Sequence, residues 1–69
     1  MNISTALETA LETALDTLAL DRNDISCLAW RHEAELLYLS FCSSWLYYEV
    51  YVDADGTVPG INTEPLAKG

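Results

Sequence analysis

Leu36-Leu37-Tyr38-Leu39-Ser40-Phe41-Cys42-Ser43-Ser44-Trp45-Leu46-Tyr47-Tyr48-Glu49-Val50-Tyr51-Val52 is the stretch that decides the fold. Leu37, Leu39 and Phe41 alternate with Leu36, Tyr38, Ser40 and Cys42. After Ser43-Ser44, Leu46, Tyr48, Val50 and Val52 alternate with Trp45, Tyr47, Glu49, Tyr51 and Asp53. A period of two, rich in aromatic and β-branched side chains, is the signature of strands with one face buried. The same period runs upstream from Ile25, where Leu28 and Trp30 alternate with Cys27, Ala29 and Arg31. Turns at Ala34-Glu35 and Ser43-Ser44 join the three runs into a meander. They set Trp30 opposite Leu39, Leu39 opposite Tyr48, Leu28 opposite Phe41 and Phe41 opposite Leu46. All of these fall on one face, as a correct register requires. Neither turn carries the Asn-Gly pair that marks a strong hairpin.

Upstream the period changes. Residues 5–20 read Thr-Ala-Leu-Glu, Thr-Ala-Leu-Glu, Thr-Ala-Leu-Asp, Thr-Leu-Ala-Leu. A step of four on a helix advances about 400°, so each column drifts by about 40° per repeat. Ile3, Leu7, Leu11, Leu15 and Leu18 form an apolar stripe with Ala10 and Ala14 beside it. Glu8, Glu12 and Asp16 form a second stripe about 100° away, with about 6 Å between neighbours. Asn2, Ser4 and Thr5 are each able to cap the helix, and Thr5-x-x-Glu8 matches a capping box. Asp21-Arg22-Asn23-Asp24 ends it. Strands of about eight residues span about 26 Å and a sixteen-residue helix about 24 Å, so the two match in length.

Asp53-Ala54-Asp55-Gly56 reads as a turn, with Gly56 at the position that needs a positive φ. Thr57-Val58 has room for a short fourth strand before Pro59 stops it. The expected architecture is α+β: one N-terminal helix packed on a three-stranded antiparallel β-meander, with or without that fourth strand. Residues 1–58 form the single domain and 59–69 a loose C-terminal tail.

Eleven acidic residues against three basic ones put a formal charge of -8 on a chain of 69 residues. The chain is also 51% hydrophobic, so the charge sits on a folded domain and not on an acidic tail. A domain this small lies near the lower limit for one independent core. Its longest apolar stretch is far below the ~18–20 residues needed to cross a bilayer. No basic segment precedes an apolar one at the N-terminus, which argues against a secretory signal and for the cytoplasm. So acidic a chain is a poor ligand for nucleic acid or an anionic membrane, and the expected partner is basic or neutral. Cys27 and Cys42 are too few for a disulfide framework and read as reduced thiols, directly opposite one another on adjacent strands.

Catalytic and metal patterns do not assemble. Asp53-x-Asp55-Gly56, with Glu64 twelfth in the run, invites a calcium reading. The loop glycine belongs at the sixth position, however, where Val58 stands. His32 is the only histidine, on the inner edge of the sheet, while both cysteines fall on the outer face. That geometry opposes a Cys-His pair. The chain is read as a non-enzyme without metal or cofactor.

Two surfaces remain as candidates. The open side of the sheet is expected to expose Tyr38, Trp45, Tyr47 and Tyr51, interleaved with Glu49 and Asp53 and with Arg31 nearby. That is the composition of a contact patch, although aromatics also suit strands for their packing alone. The helix stripe is usually no more than a solvated face. Here Glu8, Glu12 and Asp16 are like-charge neighbours at i, i+4, which destabilises a helix by a few tenths of a kcal/mol per pair. A cost with no structural return suggests that the charge itself is used.

In length, in its charge of -8 and in these stacked carboxylates, with Asp21, Asp24, Glu33, Glu49, Asp53 and Asp55 elsewhere, the chain resembles small phage-encoded anti-CRISPR proteins. Locally, Tyr48-Glu49-Val50-Tyr51-Val52-Asp53-Ala54-Asp55-Gly56-Thr57-Val58 looks like the terminal hairpin of a PepSY domain, a helix-plus-sheet module linked to peptidase inhibition. The first resemblance implies an acidic DNA mimic in the host cytoplasm. Its Glu8, Glu12, Asp16, Glu49, Asp53 and Asp55 would pair with a basic nucleic-acid-binding protein, such as the DNA- or PAM-reading subunit of a CRISPR effector. Trp45, Tyr47 and Tyr51 would supply the apolar anchor. The alternative is an interaction module, either a PepSY-like peptidase inhibitor or a homodimer formed through the aromatic face.

Overall fold

In the computed structural model, which describes residues 2–33 and 36–66, a helix α1 (Ile3–Leu18) leads into four strands. These are β1 (Ser26–Glu33), β2 (Leu36–Ser43), β3 (Leu46–Val52) and β4 (Gly60–Pro65). They form one antiparallel sheet in the order β1-β2-β3-β4, with α1 packed on one face. The fold is α+β.

Of the possible caps, Asn2 is the one used: its side chain accepts from the Thr5 N–H at 2.8 Å. The helix closes at Ala19, which is left-handed at φ 58° and donates its N–H to the last-turn carbonyls. Leu20 donates to the Leu15 carbonyl at 2.9 Å, completing the cap. Arg22–Asp24 makes one 3-10 turn. Ser43 ties that turn to the sheet, its buried hydroxyl donating to the Asp24 carbonyl at 3.0 Å.

The alanines set the helix against the sheet. Ala6, Ala10 and Ala14 are at most 1% exposed, and Leu11 and Leu15 lie beside them, whereas Leu7 and Leu18 are only half-buried. The sequence places the leucine column at the centre of the buried face; the structure rotates the helix so that the alanine row leads. A row of methyl groups lets the helix backbone approach the sheet closely. Leu37, Leu39, Phe41, Tyr48, Val50 and Val52 meet it from the sheet. Phe41 and Tyr48 are direct partners, their rings stacked 5.2 Å apart.

Trp30 pairs with Leu39, as the sequence predicts, and Glu33 pairs with Leu36; the expected turn residues Ala34-Glu35 lie outside the described residues. The second hairpin differs. Its two-residue turn is Ser44-Trp45, not Ser43-Ser44, so Leu39 meets Val50 and Phe41 meets Tyr48. Sliding a two-residue turn by one position moves each partner by two, which leaves inside and outside unchanged. Ser44 and Trp45 both have positive φ, 53° and 72°. That is the primed geometry favoured by strand twist, built without the usual Asn-Gly. In β1 a bulge between Ser26 and Ala29 sets Ser26, not Cys27, opposite Cys42, and removes the direct Leu28–Phe41 pair.

Two expectations need correction. The fourth strand is Gly60–Pro65, not Thr57-Val58, and residues 60–65 are not a loose tail. Ile61 is the only large apolar residue in this strand. What holds it is backbone pairing along Leu46–Tyr51 of β3, together with Leu66 donating to the Trp45 carbonyl at 2.8 Å. Pro65 at its end suits an edge strand.

The caps yield two expected outcomes. Ala19→Gly removes the cost of a left-handed alanine and raises stability by up to about 1 kcal/mol in chemical denaturation. Replacing Ser44-Trp45 by Asn-Gly stabilises the hairpin by a similar amount, about 1 kcal/mol. A loss of stability in either variant contradicts the turn assigned there.

Candidate functional site

The width of α1 decides which apolar residues remain available. An α-helix is about 10 Å across and strands are about 4.8 Å apart, so one helix covers roughly two strands. It covers β2 and β3. On β1 every residue is exposed, with Trp30 at 58% and Leu28 at 52% although both point to the helix side. The sequence reading counted both as core. Beside them, between α1 and β1, runs an open cleft of about 230 Å³ lined by Leu7, Leu11, Leu28, Trp30 and Leu39, with Glu8 on its rim.

Glu8, Glu12 and Asp16 are all exposed along α1. Glu8 accepts from Arg22 at 2.9 Å. Among the described residues, the only other ion pair is Arg31 with Glu33, at 3.7 Å. Both arginines therefore have acidic neighbours, and Glu12 and Asp16 face solvent with no cation in reach among the described residues. Asp21 and Asp24 extend the acidic surface past the helix end.

The remaining candidates lie elsewhere. Glu49 is on the opposite face of the sheet, between Ser40 and Asn62 in register, where it accepts from the Tyr47 hydroxyl at 3.5 Å. No flat cleft can meet Glu49 and the helix stripe together. Asp53 and Asp55 organise their own turn. The Thr57 hydroxyl lies 3.2 Å from Asp53 and 2.8 Å from Asp55, and the Thr57 N–H donates to Asp55 at 3.1 Å. Gly56 takes φ 89° and donates to the Asp53 carbonyl at 2.9 Å. Glu64 pairs with Tyr47, whereas the Asp53 turn follows the far end of β3, about 20 Å away at the strand rise. The calcium geometry does not close, and no described cluster of three or more His, Cys, Asp or Glu side chains is placed to hold a metal.

The outer aromatic face is more closed than the sequence suggests. Tyr38 is 9% exposed, its ring 5.9 Å from that of Tyr51, with Arg31 donating to its hydroxyl at 3.2 Å. Tyr47 and Tyr51 are half-buried, and burial beside Glu49 pushes the Tyr51 phenol above its ordinary value. Trp45 stands apart at 83% exposed on the strained hairpin tip. Burial, then the neighbouring Cys27 thiol, push the Cys42 thiol up, and both cysteines are free. His32 lines a separate cavity of about 300 Å³ on the helix side, with Ile3 and Asp53.

Hydrogen bonds from Thr57, side chain first and backbone second, hold the Asp55 carboxyl below its ordinary value. A carboxyl whose pKa is lower folded than unfolded stabilises the fold above about pH 4, and that contribution disappears as pH falls through the folded value. Asp55→Ala should therefore lower Tm at neutral pH, with the gap from the parent narrowing as pH falls below the ordinary carboxylate range. A gap that is constant with pH contradicts the role given to Thr57. Comparison with family models, curated proteins and solved structures gives no match to this chain, so its site is read from geometry and charge.

Proposed function

We propose that this chain is a non-enzymatic inhibitor that occupies the basic nucleic-acid-binding surface of another protein, its helix carboxylates standing in for phosphates. The observation that carries this reading is the exposed pair Glu12 and Asp16 one turn apart on α1, with both described arginines engaged at Glu8 and Glu33. Carboxylates presented this way suit charge-assisted hydrogen bonds from arginine and lysine. The surrounding charge of -8 raises the encounter rate with a cationic cleft. The contact set is narrower than the six carboxylates the sequence suggests. Glu8, Glu12 and Asp16 form the contact, and Glu49, Asp53 and Asp55 contribute field. The likeness to anti-CRISPR proteins makes the DNA- or PAM-reading subunit of a CRISPR effector the first target to test, in the host cytoplasm.

A second reading, a contact with a neutral partner, draws on Trp45, which is 83% exposed. Salt separates the two, because exposed charges are screened over about 8 Å at physiological ionic strength while apolar contacts are not.

The test is displacement of a labelled DNA duplex from a purified effector subunit. Glu12→Lys with Asp16→Lys leaves the Glu8–Arg22 pair in place and should weaken displacement at least roughly ten-fold, with steep weakening of the parent as salt rises. Undiminished displacement by the double variant refutes the mimicry.

A further inference from the structure

The sheet has two edges of different character. β4 ends at Pro65, follows Pro59, and carries Asn62, Thr63 and Glu64; these features discourage strand pairing. β1 has eight residues and no proline, with Leu28, Ala29 and Trp30 in the open towards one end and Arg31, His32 and Glu33 at the other. Its bulge at Cys27-Leu28 breaks regular pairing at one end and leaves Ala29–Glu33 as a straight template. An unpaired edge that exposes Leu28, Ala29 and Trp30 invites another strand. Directly above it lies the α1–β1 cleft, whose floor is Leu39 and whose walls are Leu7, Leu11, Leu28 and Trp30.

Charge selects the occupant. Glu8 stands on the rim and Glu12 follows one turn along the helix. A second copy would bring -8 against -8 and set one acidic rim near another, which opposes self-pairing at this edge. A basic segment meets no such barrier on the helix side, and on the outer side the only described cation it meets is Arg31, which is paired with Glu33.

We infer that the β1 edge and the α1–β1 cleft form a docking site for an extended, cationic segment of a partner protein, added as a fifth strand beside β1. Side chains of such a strand alternate between the two sheet faces. Those turned to the helix side are bulky and apolar over Leu28 and Trp30, with lysine or arginine reaching Glu8 and Glu12. Those turned to the outer side are small or polar, since Arg31 lies there. Backbone hydrogen bonds supply affinity and the cleft supplies selectivity. The inference rests on the basic partner proposed above, and it gives that partner the apolar anchor that helix carboxylates alone lack.

The probe is a blocked peptide, Lys-Thr-Val-Thr-Ile-Thr-Lys, titrated into the full chain and followed by backbone amide shifts and hydrogen exchange. Saturable shifts and slowed exchange at Ala29–Glu33 are expected. Trp30→Ala and, independently, Leu28→Lys should each weaken binding at least roughly ten-fold, while Trp45→Ala leaves it unchanged. Equal binding by the peptide with glutamate in place of lysine overturns the inference. So do shifts mapping to β4, or protection of β1 that depends on protein concentration without peptide. The two proposals fail separately. If Trp30→Ala displaces DNA like the parent while Glu12→Lys with Asp16→Lys does not, mimicry stands and the docking edge falls. Peptide binding at β1 with full displacement by the double charge variant gives the reverse.

Discussion

One helix cannot cover a four-stranded sheet, and that mismatch shapes the whole molecule. The alanine row Ala6, Ala10, Ala14 brings α1 down onto β2 and β3, where Phe41 and Val50 are completely buried. Everything the helix covers becomes core, and what lies to either side must be held in another way. On the β4 side the answer is backbone pairing, with Ile61 half-buried against the core. On the β1 side nothing among the described residues covers Leu28 and Trp30, and the domain leaves these two apolar side chains at its edge. For a chain near the lower size limit, uncovered apolar surface of this kind forgoes stability that a wider helical layer would supply.

Charge is distributed by a different rule. Acidic side chains occur on the helix, at the hairpin turn and on the outer sheet, because each is at the surface and so costs little desolvation. Only the helix places them in an order that a linear array of cations can meet. The turn carboxylates are engaged by Thr57, and Glu49 by Tyr47. The proposed mimicry of a polyanion therefore rests on geometry more than on the total charge, and the apolar cleft next to Glu8 offers an anchoring surface beside the same carboxylates.

Much of this was legible in the residues. The switch from period four to period two located α1 and the first three strands within a few residues, and the Trp30–Leu39 pair came directly from alternation. Gly56 was identified from its turn chemistry. The misreadings have specific causes. Ser44-Trp45 carries no conventional turn signal, so the hairpin was set one residue early. The bulge at Cys27-Leu28 has no glycine to announce it. β4 was missed because a strand held by its neighbour's backbone needs few apolar side chains. Trp30 and Leu28 were assigned to the core because alternation reports which face a side chain takes and not whether anything sits over it.

The sequence by itself determined the elements, their facing and the surplus of negative charge, since periodicity and ionisation are local properties of the chain. The tertiary structure alone decided which strands the helix covers, which carboxylates stand together, and that β1 is left open beside a cleft. Those outcomes depend on how many strands lie abreast under a cylinder of fixed diameter, and that relation between distant segments is not written at any one position.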